Sequence, residues 1–313
     1  MKKLSKKILL TGGAGFIGSH LVDAYLEAGY QVVVIEDLSS GKKTNLNLRA
    51  KFYLADICDF KKTNNIILKE KPDFISLHAA QIKVLASNQD PVADAQINIL
   101  ANLNILQTAR QLNNLKKIIF ASSGGAIYAT QATLPAKETA LIQPKSAYGV
   151  AKSSIELYLA AYYQNYKIPY VALRYANVFG PRQKADQEGG VVAIFIKNFL
   201  QQKSPSIYGN GQQTRDFIYV KDVVTANLLA TKSKFVGALN ISSQKEISIL
   251  TLAELIKNKT QSAKTIRFTQ ARVGEQSRSC LNHNLAKKVL SWKNGNSLET
   301  EIEETIAWFK THV

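Results

Sequence analysis

TGGAGFIG, residues 11–18, stands between a short apolar run, KKILLT (6–11), and a stretch with helical apolar spacing, FIGSHLVDAYLEAG. Gly12, Gly15 and Gly18 therefore fall directly between a strand and a helix. In that position the first glycine permits a tight turn, the second lets backbone approach a pyrophosphate, and the third lets helix and strand pack closely. Free N–H groups at the helix start would face the phosphates. A glycine pattern alone also fits a plain tight turn, so the flanks decide. QVVVIED (31–37) ends the next apolar run in Glu36-Asp37. A carboxylate at that strand end can accept both ribose hydroxyls of an adenosine and would repel a 2′-phosphate, which favours NAD over NADP. Asp56, closing KFYLAD (51–56), is placed to meet an adenine edge. Together these features predict a dinucleotide site.

The alternation continues outward. A helical segment around 60–70 leads to PDFISLHAA (72–80), then residues 90–113, KKIIFASS (116–123), a helical 147–166 and YVALRY (170–175). Apolar strands alternating with helices predict an α/β, doubly wound parallel sheet of Rossmann type, covered on both faces. After residue 177 loops with Gly180-Pro181, Gly189-Gly190 and Gly209-Asn210-Gly211 become frequent. We expect a dinucleotide-binding domain over 1–176 and a smaller C-terminal α/β lobe over 177–313, with the chain returning to the first domain around 217–245.

Composition narrows the classes. The 313 residues are 46% hydrophobic and 20% charged, ordinary for one large or two modest domains. Cys58 and Cys280 are too few for a disulfide scaffold and lack zinc spacing, so no metal is expected and a reducing cytoplasm is the simplest home. Lysines precede apolar residues at the start, as in a signal peptide, but the apolar run breaks at Gly12-Gly13 and no cleavage pattern follows. No apolar run is long enough to span a membrane. The net charge of +17 attracts polyanions, yet the lysines are scattered and carry no aromatic–basic motif, which favours a solvated basic face over nucleic-acid binding.

Chemistry concentrates in two stretches. SAYGVAKSSIELYLAAYY places Tyr148 and Lys152 one turn apart on a helix. A free tyrosine, with a pKa of about 10, is a poor base near neutrality. A nearby ammonium and a positive nicotinamide ring would both favour the phenolate, which could then take a proton from a sugar hydroxyl. A surface Tyr/Lys pair is the plainer reading of the same spacing. The second stretch, FASSGGAIYA (120–129), reads equally as a serine loop or a tight turn, but no histidine sits at triad spacing.

These motifs, with HAAQ (78–81), LRYANVFGPRQ (173–183), GGVVAIFI (189–196), YGNGQQTRDFIYVKD (208–222) and ARVGEQSRS (271–279), resemble the extended short-chain dehydrogenase/reductase superfamily. Within it the chain is most similar to the NAD-dependent UDP-glucose (UDP-galactose) 4-epimerases of the epimerase/dehydratase family. The resemblance implies Tyr148 as base and Lys152 as the residue that bonds the nicotinamide ribose and tunes Tyr148. A hydroxyl from Ser122 or Ser123 would reach the sugar. It implies Phe16, Ile17, Ile57, Ala79, Ala80, Asn98 and Tyr175 beside NAD, in addition to Gly12, Gly15, Gly18, Glu36, Asp37 and Asp56. For a UDP-sugar it implies Lys83, Asn177, Val191, Tyr208, Arg215, Arg272, Glu275 and Ser279, with the two arginines clamping the diphosphate. A homodimer through a four-helix interface is the family expectation.

Departures from the pattern sharpen the reading. A Ser or Thr is frequent in such epimerases where this chain has Gly124. Related 4,6-dehydratases and decarboxylases carry acids near Tyr128 for elimination, where this chain has Gly125 and Ala126. At the position gating the sugar pocket, Ser279 replaces a bulky aromatic, which implies room for a 2-acetamido group. Epimerisation at C4 is the leading expectation. A uronic-acid epimerase or another nucleotide-sugar enzyme follows it, and a non-catalytic NAD protein with a nucleic-acid-binding face is the alternative of another class.

Overall fold

The computed structural model describes residues 5–186, 190–271 and 276–312. Its first half runs β1 (Lys7–Thr11), α1 (Phe16–Glu27), β2 (Gln31–Glu36), β3 (Lys51–Leu54), α2 (Phe60–Glu70) and β4 (Phe74–Leu77). Then come two short helices, α3 (Val84–Gln89) and α4 (Pro91–Ala95), a π turn (Gln96–Leu100), α5 (Ala101–Ala109), β5 (Lys117–Ser123), the single turn α6 (Gly124–Ile127), α7 (Ala147–Tyr166) and β6 (Tyr170–Tyr175). The second half contains β7 (Asn177–Phe179), α8 (Val191–Leu200), β8 (Ser206–Tyr208), β9 (Thr214–Tyr219), α9 (Val220–Lys232), β10 (Gly237–Ile241), β11 (Glu246–Ser248), α10 (Ile249–Thr260), β12 (Arg267–Thr269), α11 (Asn284–Leu290) and α12 (Leu298–His312).

Seven parallel strands form the main sheet in the order β10-β6-β5-β4-β1-β2-β3. Their apolar runs are buried on both faces, as in Ile8–Leu10, Val32–Ile35 and Ile118–Phe120, because helices cover each side of a parallel sheet. The α/β doubly wound expectation is met. The chain turns back at β1, with β2 on one side and β4 on the other, and ligands of such sheets bind at this switch point beyond the strand ends. Thr11 fastens it: its Oγ1 accepts the N–H groups of His78 and Ala79, 3.1 Å each, across the β1–β4 gap.

Later in the chain, α9 packs on α1, and β10 adds the edge strand beside β6. β9 instead lies between β7 and β11 in a three-stranded sheet of the C-terminal part. A separate apolar cluster there includes Phe179, Phe195, Phe199, Phe217 and Phe309. Among the described residues no helix is long and apolar enough to cross a membrane.

Candidate active site

At the N-terminus of α1, Gly15 occupies the cap position and has no side-chain acceptor to satisfy the first-turn N–H groups of Phe16, Ile17 and Gly18. Gly12 has φ +77°, and a Cβ there would lie 2.8 Å from Ala79 N; a Cβ on Gly18 would lie 2.0 Å from Gly12 O. This is a cradle that only glycines leave open, with a helix dipole aimed into it. At the end of β2, buried Glu36 accepts from Ala14 N (3.1 Å) and Leu38 N (2.9 Å), which places its carboxylate against the glycine loop. Burial raises its pKa, and those two N–H groups oppose the rise. Asp37 faces outward and is bonded to Ser39 N and Oγ (2.9 and 2.7 Å), bonds that hold it low against the desolvation penalty. Of the acidic pair, Glu36 is the one built into the loop. Asp56 is exposed beyond β3 with Ile57 buried behind it. The residues present fit a dinucleotide.

Asn98, in the π turn, spends its amide on structure. Its Nδ2 donates to Gln81 O (2.9 Å) and Asp94 Oδ1 (2.8 Å), and its Oδ1 accepts from Gln81 N (3.1 Å), which pins the segment after Ala79-Ala80. The Tyr175 hydroxyl points into the core, where it meets His78 Nε2 (3.1 Å) and Asn227 Nδ2 (2.8 Å), so the hydroxyl is committed to structure. Burial, with Lys152 next, drives His78 down to about 3, so this imidazole is neutral.

Helix α7 brings the chemical residues in. Ser146 caps it by accepting from Gly149 N (3.1 Å), which sets Tyr148 in the first turn. Tyr148 is half-buried and hydrogen-bonded to Ser123 at the end of β5. One turn on, the Lys152 ammonium donates to Ala121 O (2.9 Å) and stands 4.8 Å from the Phe120 ring centre and 5.6 Å from that of Tyr148. The expected lowering of Tyr148 by this ammonium is not what the protein alone provides. Burial pushes Tyr148 up to about 12, with the Ser123 bond opposing and Asp94 adding to the rise. Burial likewise brings Lys152 down to about 8, against Asp94 and Glu156.

Of the two serines, Ser122 is corrected. Neighbouring strand residues face opposite sides, and Ser122, 3% exposed, gives its proton to Glu156 Oε1 (2.5 Å), away from Tyr148. Only Ser123 shares the tyrosine's side. The structure also accounts for Gly124: a Cβ there would lie 2.3 Å from Leu281 Cδ1, so Leu281 fills the space a serine side chain would need. At Gly125 a Cβ would meet only Ser279 Oγ, at 3.9 Å, which places buried Ser279 directly across the loop. Bonds from Ala136 N to Cys280 O (2.9 Å) and from Asn282 N to Ala136 O (2.8 Å) hold that segment in place.

In the C-terminal part, Asn177 opens β7 and donates to Asp216 O (3.2 Å) on the neighbouring β9, which carries Arg215. The Arg215 guanidinium donates to Thr214 O and Gln276 O, 2.8 Å each. Val191 opens α8, Tyr208 ends β8 and is 40% exposed, and Lys83 precedes α3. Arg272 and Glu275 lie outside the described residues.

A model of the NAD dependent epimerase/dehydratase family matches residues 8–242, which takes in all of the parallel sheet but its first residue, Lys7. The chain belongs to this family. Solved structures similar to it include the following. One is a UDP-glucose 4-epimerase with UDP-glucose from Thermotoga maritima (40% identity, TM-score 0.96, covering 98% of this chain and 99% of that one). Another is a UDP-N-acetylglucosamine 4-epimerase from Methanobrevibacter ruminantium in complex with UDP-N-acetylmuramic acid (36%, 0.93, 99% and 99%). The third is a UDP-glucose 4-epimerase complex with NAD from Thermus thermophilus (34%, 0.93, 98% and 100%).

Sequence reasoning passed over Asp94, Glu156 and Arg174, all buried around this family site. The signal was present for Glu156, which continues the Tyr148, Lys152 spacing by one more turn.

Proposed function

We propose that the protein is an NAD-dependent UDP-sugar 4-epimerase that acts on UDP-glucose and UDP-galactose and, through Ser279, on their 2-acetamido counterparts. The observation that carries this reading is the convergence of Tyr148, Lys152 and Ser123 at the β5 end, beside the glycine cradle of α1. Gly12, Gly15, Gly18 and Glu36 would hold NAD, which when bound supplies the hydride acceptor and donor and a positive ring that favours the Tyr148 phenolate. Ser123 orients the sugar hydroxyl at C4 and Tyr148 removes its proton, and with the C4 hydrogen passing as hydride to the acceptor that NAD would supply, a 4-keto sugar would result. The same Tyr148 returns the proton once reduction has occurred on the opposite face. Arg215, Arg272 and Asn177 bind the diphosphate, with Tyr208, Glu275, Lys83 and Val191 around the rest of the nucleotide sugar. Gly125 and Ala126 offer no acid for elimination, which favours epimerisation over dehydration or decarboxylation.

A second copy of the chain is the partner this surface suits, because Leu157 (71%), Val150 (47%) and Tyr158 (43%) leave an apolar stripe exposed on α7. The activity test uses purified protein without added NAD and a panel of UDP-glucose, UDP-galactose, UDP-N-acetylglucosamine and UDP-glucuronate, with products separated by chromatography. C4 epimers of the first three are expected. A Tyr148→Phe variant should lose at least about 100-fold in turnover, and full activity in that variant would overturn the mechanism.

A further inference from the structure

Helix α7 holds the end of β5 at three successive residues from three successive turns. Tyr148 bonds Ser123, Lys152 donates to Ala121 O, and Glu156 accepts from Ser122 Oγ. The third rung is also an ion pair. Arg174, on β6 opposite Ser122, grips the Glu156 carboxylate through Nε (3.0 and 3.1 Å) and Nη2 (2.5 Å), and both side chains are under a tenth exposed. The remaining Arg174 nitrogen, Nη1, donates to the Tyr128 hydroxyl (2.8 Å) and Glu138 O (3.0 Å), in the segment that follows the loop facing Ser279. A buried pair of this kind is weak evidence for stability alone, since apolar residues of the same volume would serve as well.

We infer that Glu156 is a positioning residue: its carboxylate, one turn from Lys152 on the same helix face and fixed there by Arg174, keeps Lys152 an ammonium beside Tyr148. The inference rests on the role proposed above for Tyr148 and Lys152. Lys152 is 3% exposed, and its hydrogen bond goes to a neutral carbonyl. Burial by itself favours its neutral form, which could not support a phenolate. The charged or titratable groups around it are Tyr148 and Glu156 on α7, Asp94 on α4 and His78 after β4. His78 is neutral and Tyr148 is protonated in the protein alone, so the two carboxylates supply the compensating charge. Glu156 is the one whose position is locked by a forked guanidinium, so its field is fixed relative to Lys152.

The test reads Lys152 directly. With 13Cε-labelled lysine, the Lys152 resonance is assigned by its loss in Lys152→Ala and titrated by NMR. Glu156→Gln, which keeps the shape and the acceptor for Ser122, should lower the Lys152 midpoint by about one pH unit. Glu156→Asp, which keeps the charge, should stay near wild type even if it melts earlier, and Glu156→Gln/Arg174→Met, which lacks the same carboxylate, should keep the lowered midpoint. The alkaline limb of kcat should move with the midpoint. An unchanged midpoint in Glu156→Gln, or equal midpoints in the Gln and Asp variants, overturns the inference. Because the titration needs no turnover, it stands apart from any failure to find epimerase activity.

Discussion

Replacing Gly124 by alanine tests whether Leu281, and not an absent hydroxyl, defines the loop that follows β5. The new Cβ would stand 2.3 Å from Leu281 Cδ1, 2.9 Å from Cδ2 and 3.2 Å from Cγ, so rotating one methyl aside does not relieve the clash. Nor can Leu281 swing out, since it is 1% exposed and packed with Ile127, Tyr128 and Ala136. Overpacking of this kind costs about 1–3 kcal/mol. At about 2.1 cal/mol/K of unfolding entropy per residue, that lowers Tm by only about 2–5 °C in a chain of this length, so urea unfolding is the better assay. Leu281→Ala alone should cost about 2–5 kcal/mol through the cavity it leaves. In the double variant the alanine methyl enters that cavity, so the two costs should fall short of additivity by about 1–3 kcal/mol. Strict additivity, or a Gly124→Ala protein within about 0.5 kcal/mol of wild type, would refute the reasoning.

Gly18→Ala should abolish NAD binding, followed by nicotinamide fluorescence after addition of NADH, because its Cβ would sit 2.0 Å from Gly12 O; a variant that still binds would discredit the cradle. Ser279→Tyr should leave UDP-glucose and UDP-galactose as substrates while turnover of the 2-acetamido sugars drops at least about tenfold, as expected when one pocket wall is filled; equal loss for both classes would count against the gate. The third concerns acid stability. Glu70 receives Lys51 Nζ and the Tyr53 hydroxyl at 2.5 Å and Lys7 Nζ at 3.1 Å, which hold its pKa at about 2 although burial opposes the charge. Its folded pKa lies below the unfolded value, so its contribution is complete above the unfolded carboxylate range and fades as pH falls through about 2. Glu70→Gln should therefore be less stable by about 2–3 kcal/mol at pH 7, with the gap to wild type closing below about pH 4 in urea titrations; a gap independent of pH would contradict the assignment.

The sequence by itself determined the doubly wound sheet, because apolar runs of strand length and periodic helices alternate with little ambiguity, and a run buried on both faces has no polar alternate residue to confuse its reading. It also placed the helix 147–166 that carries Tyr148 and Lys152, since the i, i+4 spacing is local. What it could not decide were matters of side-chain direction across the fold. FASSGGAIYA left Ser122 and Ser123 equal. The pleat of β5 separates them, and Glu156, reached only when α7 lies on that strand, takes the first. The absent hydroxyl at Gly124 read as a departure from pattern until Leu281, more than 150 positions later, proved to occupy its volume. The sign of the shift at Tyr148 was also beyond sequence reach. A neighbouring lysine argues for a lower pKa, but the burial of both groups, a property of packed volume and not of spacing, outweighs it in the protein alone. Local periodicity fixed which elements form, and the pairing of distant surfaces decided which of their atoms can meet.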